Sequence, residues 1–296
     1  MNKVQVLTFA FLIFLAAFLR FYKLDQVPAG FDWDEAALGY NAYSILKTGA
    51  DEYGVKFPLT LRSFEDYKPP LYTYLTIPSV AIFGLNEFAV RFPSAFLGTL
   101  TVIVGYFLFK KLFPKLSTNY YLLTTFLLAV SPWHLQFSRM AFEANVGLFF
   151  VVLGVWLFLK GLVKGQWLIL VAISFALSLY AYHALRIFTP LLLLGIVFYY
   201  RKNLWQIKKY TLTSFILGLL LILPVVNILL SKEGRVRFQG VSVFADSAFL
   251  EPSIKKIEED QKDKIPLAQI LHNRRLEYIW FFSKGYLSHF DLNFLF

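Results

Sequence analysis

The sequence predicts an all-α polytopic membrane protein, on three observations. Hydrophobic residues make up 57% of the 296 positions, with 33 Phe, 17 Tyr and 6 Trp. Charged residues make up 16%, where a soluble domain carries about 25%, and the mean hydropathy is +0.57. Apolar runs long enough to cross a bilayer recur along the chain, joined by short basic connections.

A spanning helix needs roughly 17–25 mostly apolar residues. Seven runs meet that requirement, at about 4–20, 91–109, 119–137, 143–159, 166–182, 184–200 and 211–230. The first follows Lys3 and resembles the apolar core of a signal peptide. No A-x-A-like site closes it, and it continues through Arg20 into Phe21 and Tyr22, so it reads as an uncleaved anchor. An eighth apolar stretch, 71–84, is short and contains Pro78, which fits an interfacial or re-entrant segment better than a span.

Loop charge tests this count. If 71–84 does not cross, Lys3, Lys110, Lys111, Lys115, Lys160, Lys164, Arg201, Lys202, Lys208 and Lys209 all fall on one side, in connections free of acid. That is the positive-inside pattern, with a cytoplasmic N-terminus. The loop from Phe21 to Pro70 and the segment after Ser231 then lie outside. The loop holds Asp25, Asp32, Asp34, Glu35, Asp51, Glu52, Glu65 and Asp66 against five Lys or Arg. The formal charge of +10 therefore points to anionic lipid at the cytoplasmic face, not to nucleic acid. Cysteine is absent, which excludes disulfides and Cys-ligated metals. No G-x-G-x-x-G or P-loop string suggests a nucleotide donor.

Ionisable groups gather at the outer ends of the spans. Asp32-Trp33-Asp34-Glu35 opens a helix-spaced set, Leu38, Ala42, Ile45 and Leu46, closed by Gly49. Asp34 reads either as a helix cap with Glu35 complementing the dipole, or as a general base at the membrane–water boundary. In Asp66-Tyr67-Lys68-Pro69-Pro70 the double proline forces an extended entry to a surface helix. Lys68 reads either as a snorkelling lysine or as a cation for a lipid phosphate. Arg91 precedes the second span, Arg139 and Glu143 lie between the third and fourth, and His183 and Arg186 between the fifth and sixth. An Arg–Glu pair in such a place serves either function or helix locking. His134, His183, His272 and His289 share no metal-ligand spacing.

The ordered set of a Trp-Asp-Glu element, Lys-Pro-Pro, Glu-Phe-Ala-Val-Arg-Phe-Pro-Ser-Ala and Ser-Pro-Trp-His…Ser-Arg resembles the GT-C glycosyltransferase superfamily. Within it the similarity is to the protein O-mannosyltransferase and lipid A aminoarabinose transferase branch, over roughly residues 20–190. The resemblance implies a GT-C module over 1–230 of about seven spans, with interfacial helices in a first outer loop, 21–90, that carries the catalytic motif. Residues 231–296 are then an outer loop or the start of a C-terminal part that the sequence lacks.

The resemblance further implies an inverting transfer of sugar from a dolichyl- or undecaprenyl-phosphate-sugar to an acceptor outside the cell membrane. That acceptor is a glycan, lipid or protein. By resemblance Asp34 is the catalytic base of the Asp-Glu pair completed by Glu35, and Glu143 stands where the family carries a second acid, usually Asp. Lys68 holds the donor phosphate, with Arg139 and Arg186 as further phosphate or structural partners. Tyr67, Arg91 and His183 complete the candidate site. Should a divalent cation assist, Asp34, Glu35 and Glu143 offer the hard oxygen ligands that suit Mg or Mn. Two rivals are a transporter or flippase, which calls for charges at mid-membrane and paired broken helices, and a non-catalytic truncated membrane subunit.

Overall fold

The structure, a computed structural model, describes residues 2–63, 66–231 and 274–291 and a few positions between 234 and 262. The chain forms two compact units, Met1–Leu229 and Leu230–Phe296.

The first unit is helical except for one short hairpin. Its elements are α1 (Lys3–Phe21), α2 (Trp33–Thr48), β1 (Leu61–Ser63), β2 (Asp66–Lys68), α3 (Leu71–Phe83), α4 (Glu87–Leu112), α5 (Thr118–Val130), α6 (Pro132–Arg139), α7 (Glu143–Gly161), α8 (Trp167–Ala181), α9 (Leu185–Tyr199), α10 (Arg201–Gln206) and α11 (Lys208–Leu230). β1 and β2 pair antiparallel in the register Leu61↔Lys68, Arg62↔Tyr67 and Ser63↔Asp66. In the second unit the described residues form one helix of several turns, α12 (Arg274–Ser288), within the stretch 267–290 where the sequence suggests an amphipathic helix. The charged stretch from Glu251 to Pro266 lies largely outside the described residues.

Among the described residues, four helices are long and apolar enough to cross a membrane: α1, α4, α7 and α11. Four more apolar helices are shorter: α3, α5, α8 and α9. Their outer surfaces carry what a water-soluble protein would bury. α11 exposes Leu212, Phe215, Leu219, Leu220 and Leu223 and buries Val225 alone, and α1 exposes Phe11, Phe14 and Phe18. Helices with such faces need lipid around them, and the chain is an all-α multi-pass membrane protein.

One expected span changes. The run 119–137 is not one helix but two, because Pro132 has no N–H for the preceding turn and drives Ser131 out of helical geometry (φ −56°, ψ 119°). α5 alone has 13 residues, about 20 Å of rise against a hydrocarbon core of about 30 Å. α6, with Pro132 in its first turn, starts a new direction and carries His134 and Arg139 back over the end of α1. The second span also starts earlier than expected, at Glu87, which puts Arg91 inside the helix.

α4 and α7 make the centre, flanked by α8, α3 and α1. Leu97 and Val104 from α4, Val146 and Phe149 from α7, Leu38 from α2, Tyr72 from α3 and Ala181 from α8 form one apolar cluster. Close approach here rests on small residues: a Cβ at Gly98 of α4 would collide with Ser138 of α6. Polar contacts join helices inside the bundle. Pro93 of α4 has no N–H to give to the Ala89 carbonyl, and Ser79 Oγ of α3 donates to that oxygen instead, at 2.6 Å. Asn145 Nδ2 of α7 donates to the Ser94 carbonyl at 2.9 Å and to Ser94 Oγ at 3.0 Å.

Candidate active site

The N-terminus of α2 sets the site. Asp32, in extended backbone (φ −71°, ψ 150°), is the N-cap; its side chain accepts from the Trp33 N–H, and it forms a reciprocal capping box with Glu35 three residues on. Asp34 is therefore not the cap. It sits in the first turn with its side chain half exposed, next to the largely exposed Trp33.

Asp34 is paired with Lys68, whose Nζ reaches its carboxylate while 10% of the lysine side chain remains exposed. β2 delivers Lys68 to this position. The hairpin fixes the strand, and Pro69 and Pro70 turn the chain into α3 immediately afterwards. Asp34 thus comes from the helix before the hairpin and Lys68 from its second strand, and they form a carboxylate–ammonium pair.

Glu35 points the other way, into the protein. It forms a bidentate pair with Arg91, Nε to Oε1 at 2.9 Å and Nη2 to Oε2 at 2.8 Å, and both side chains are buried, at 3% and 0% exposure. Glu35 Oε1 also accepts from the Ala141 N–H at 2.9 Å, and Oε2 from the Asp32 N–H at 3.3 Å. Arg91 spends its remaining donors on the carbonyls of Leu24 (3.1 Å), Pro28 (3.1 Å) and Gly30 (2.6 Å). All five guanidinium N–H groups are engaged. This staple joins α2, α4, the loop after α1 and the α6–α7 turn.

Arg139 makes a second clasp. It donates to the carbonyls of Leu19 (2.6 Å), Tyr22 (2.8 Å), Lys23 (3.3 Å) and Val27 (2.7 Å), among them carbonyls left over at the end of α1. These bonds use Nη1 and Nη2; the buried Nε has no hydrogen-bond partner among the described residues. Burial, and secondarily the charge of Arg91, pull the Arg139 guanidinium below its ordinary value.

The remaining candidates are His183, Glu143 and Arg186. His183, in the α8–α9 corner, bonds through Nε2 to the Tyr67 carbonyl at 2.9 Å. Glu143 opens α7 and acts electrostatically on Tyr72. Burial first, then the charge of Glu35, hold the Tyr72 hydroxyl well above its ordinary range, and Glu143 adds to the effect. Tyr72 donates to the Val90 carbonyl at 2.9 Å. Arg186 sits in the first turn of α9, with Nε donating to the Leu179 carbonyl at 3.3 Å. Asp34, Glu35, Tyr67, Lys68, Arg91 and His183 are linked by the contacts above; Arg139 shares only the α1–α2 loop with them.

Sequence reasoning passed over Arg20. It is fully buried, donates to the Ala16 and Ala129 carbonyls, and has Nη2 2.6 Å from His134 Nδ1. An arginine at the end of an apolar run was the available signal. For a metal, no group of three or more His, Cys, Asp or Glu comes together among the described residues, and both oxygens of Glu35 are already committed. Asp34, Glu35 and Glu143 are not gathered into one cluster.

The family model for the dolichyl-phosphate-mannose-protein mannosyltransferases matches residues 67–228, more than half of the chain. The chain belongs to that family. The stretch matched to the mannosyltransferase family takes in Lys68, Arg91, Arg139, Glu143, His183 and Arg186 and begins after Asp34 and Glu35. The chain is also similar to a Bacillus subtilis (strain 168) protein named "Putative mannosyltransferase YkcB", at 29% identity over 111 residues. That alignment covers 38% of this chain and 15% of the Bacillus protein. No solved structure matches the chain.

Proposed function

We propose that this protein is a membrane glycosyltransferase that takes sugar from a polyprenyl-phosphate donor, with Asp34 as general base and Lys68 on the donor phosphate. The observation that carries the reading is the Asp34–Lys68 pair. A half-exposed carboxylate from α2 meets a nearly buried ammonium, Lys68, that lies at the start of the family-matched stretch.

The chemistry follows from that pairing. Lys68 carries three N–H donors, enough to hold a phosphate oxygen and the Asp34 carboxylate together. An acceptor hydroxyl or amine attacks the anomeric carbon, and a bond forms from its oxygen or nitrogen to that carbon. The carbon–oxygen bond to phosphate breaks, and polyprenyl phosphate leaves with the electron pair. Asp34 takes the acceptor proton and Lys68 stabilises the charge growing on the leaving oxygen. A single displacement inverts the anomeric centre. Glu35 is a positioning residue in this scheme, since its staple with Arg91 fixes the turn that carries Asp34.

Lys68→Ala is expected to weaken donor binding strongly, and Lys68→Arg to keep part of it, because arginine retains the charge but not the compact ammonium. Titration of a polyprenyl phosphate onto the purified variants measures this. Equal affinity in wild type and Lys68→Ala returns Lys68 to a snorkelling role.

The basic, acid-free connections support a plasma-membrane orientation with the N-terminus in the cytoplasm, seven crossings and the site on the outer face. A reporter fused after Lys115 is expected to read cytoplasmic, and one placed within 50–60 external. An external reading after Lys115 would show that α3 crosses.

A further inference from the structure

We propose that His183 is a positioning residue for Lys68, a clamp that holds the lysine strand from the α8–α9 corner; this rests on the donor-site reading above. The contact is between His183 Nε2 and the Tyr67 carbonyl, 2.9 Å apart and 116 residues apart in sequence. That carbonyl belongs to the peptide unit from which the Lys68 backbone begins.

The hairpin register explains why a clamp is needed. Tyr67 lies opposite Arg62 as the middle pair of a three-residue ladder. In an antiparallel ladder, alternate residues turn both backbone groups away from the partner strand. Tyr67 does so: Asp66 Oδ1 accepts from its N–H at 2.8 Å, and its carbonyl goes to His183. β1 therefore secures only one edge of β2. The other edge, at the peptide preceding the donor lysine, is held by the imidazole. The carbonyl can only accept, so Nε2 carries the hydrogen.

The direction of the effect follows. Losing the clamp frees the Tyr67–Lys68 peptide to rotate, up to the restriction imposed by Pro69, and Lys68 Nζ no longer stands fixed against Asp34. His183 acts through Lys68 and not on the donor itself. α9 buries Thr189 alone along its length, so the corner joins a loosely embedded helix to the lysine.

The test is a double-mutant cycle in the full chain, with undecaprenyl phosphate as the probe and undecaprenol as its control. His183→Ala is expected to weaken binding of the phosphate about fivefold to tenfold, the weight of one buried hydrogen bond. Undecaprenol binding should not change. His183→Gln, which keeps an N–H donor on a side chain of similar reach, is expected to bind like wild type. In a Lys68→Ala background, His183→Ala is expected to cost nothing more. Additive losses in the double variant, or failure of His183→Gln to restore affinity, would overturn the clamp. If Lys68→Ala weakens binding and His183→Ala does not, the clamp falls and the donor site stands. If Lys68→Ala leaves binding unchanged, both fall.

Discussion

Asp34→Asn is expected to cut sugar transfer by about 10²- to 10⁴-fold, the usual weight of general-base catalysis, while folding and donor binding stay near wild type. The structure makes this substitution cleaner than the sequence promised. Asp32, not Asp34, caps α2, so Asn at 34 leaves the capping box intact. The ion pair it weakens is half exposed on the aspartate side. Asn keeps the volume and can still accept a hydrogen bond from Lys68, but it cannot take a proton as a carboxylate does. The measurement is transfer from a polyprenyl-phosphate-sugar by purified variants of the whole gene product, or complementation of a host lacking the activity. Near-normal transfer by Asp34→Asn removes the base from the mechanism.

The largest effect on stability is expected at Arg91. Arg91→Leu leaves Glu35 as a buried charge without its partner and strands the carbonyls of Leu24, Pro28 and Gly30. Breaking a buried pair from one side costs about 3–5 kcal/mol. Glu35→Gln should be milder, near 1–3 kcal/mol, because the amide keeps the shape and one oxygen acceptor while Arg91 keeps its carbonyls. Because the two residues are in contact, their losses will not add: Glu35→Leu/Arg91→Leu is expected to fall short of the sum of its single variants. Denaturant or thermal unfolding in detergent reads these variants and Glu35→Leu alike. A Leu at 91 that costs under about 1 kcal/mol would mean that the staple does not hold α2 in place.

What the sequence disclosed and what it hid divide along a physical line. Features set by local pattern were legible: the apolar runs, the helix from Trp33 to Thr48, and the short helix after Pro69-Pro70. The cap was misread, at Asp34 in place of Asp32. Asp32 and Glu35 stand at capping-box spacing, yet the neighbouring Asp34 offered a competing reading. The break at Pro132 was also in plain view, but averaging hydropathy over 119–137 hid one residue's missing N–H. Contacts across the fold were not legible. Glu35 meets Arg91 over 56 residues, and His183 meets Tyr67 over 116; no spacing rule links positions so far apart. Hence Glu35, which resembles half of an acidic catalytic pair in one dimension, is a buried anchor in three.

The two arginine clasps also fix an order of events during synthesis. The first outer loop leaves the ribosome well before the residues that hold it. Arg91 comes 61–67 positions after the carbonyls it binds, and Arg139 comes 112–120 positions after its own. The Ala141 N–H that completes Glu35 follows 106 residues behind it. The full set of these contacts can exist only once α4, α6 and the α6–α7 turn have all been made.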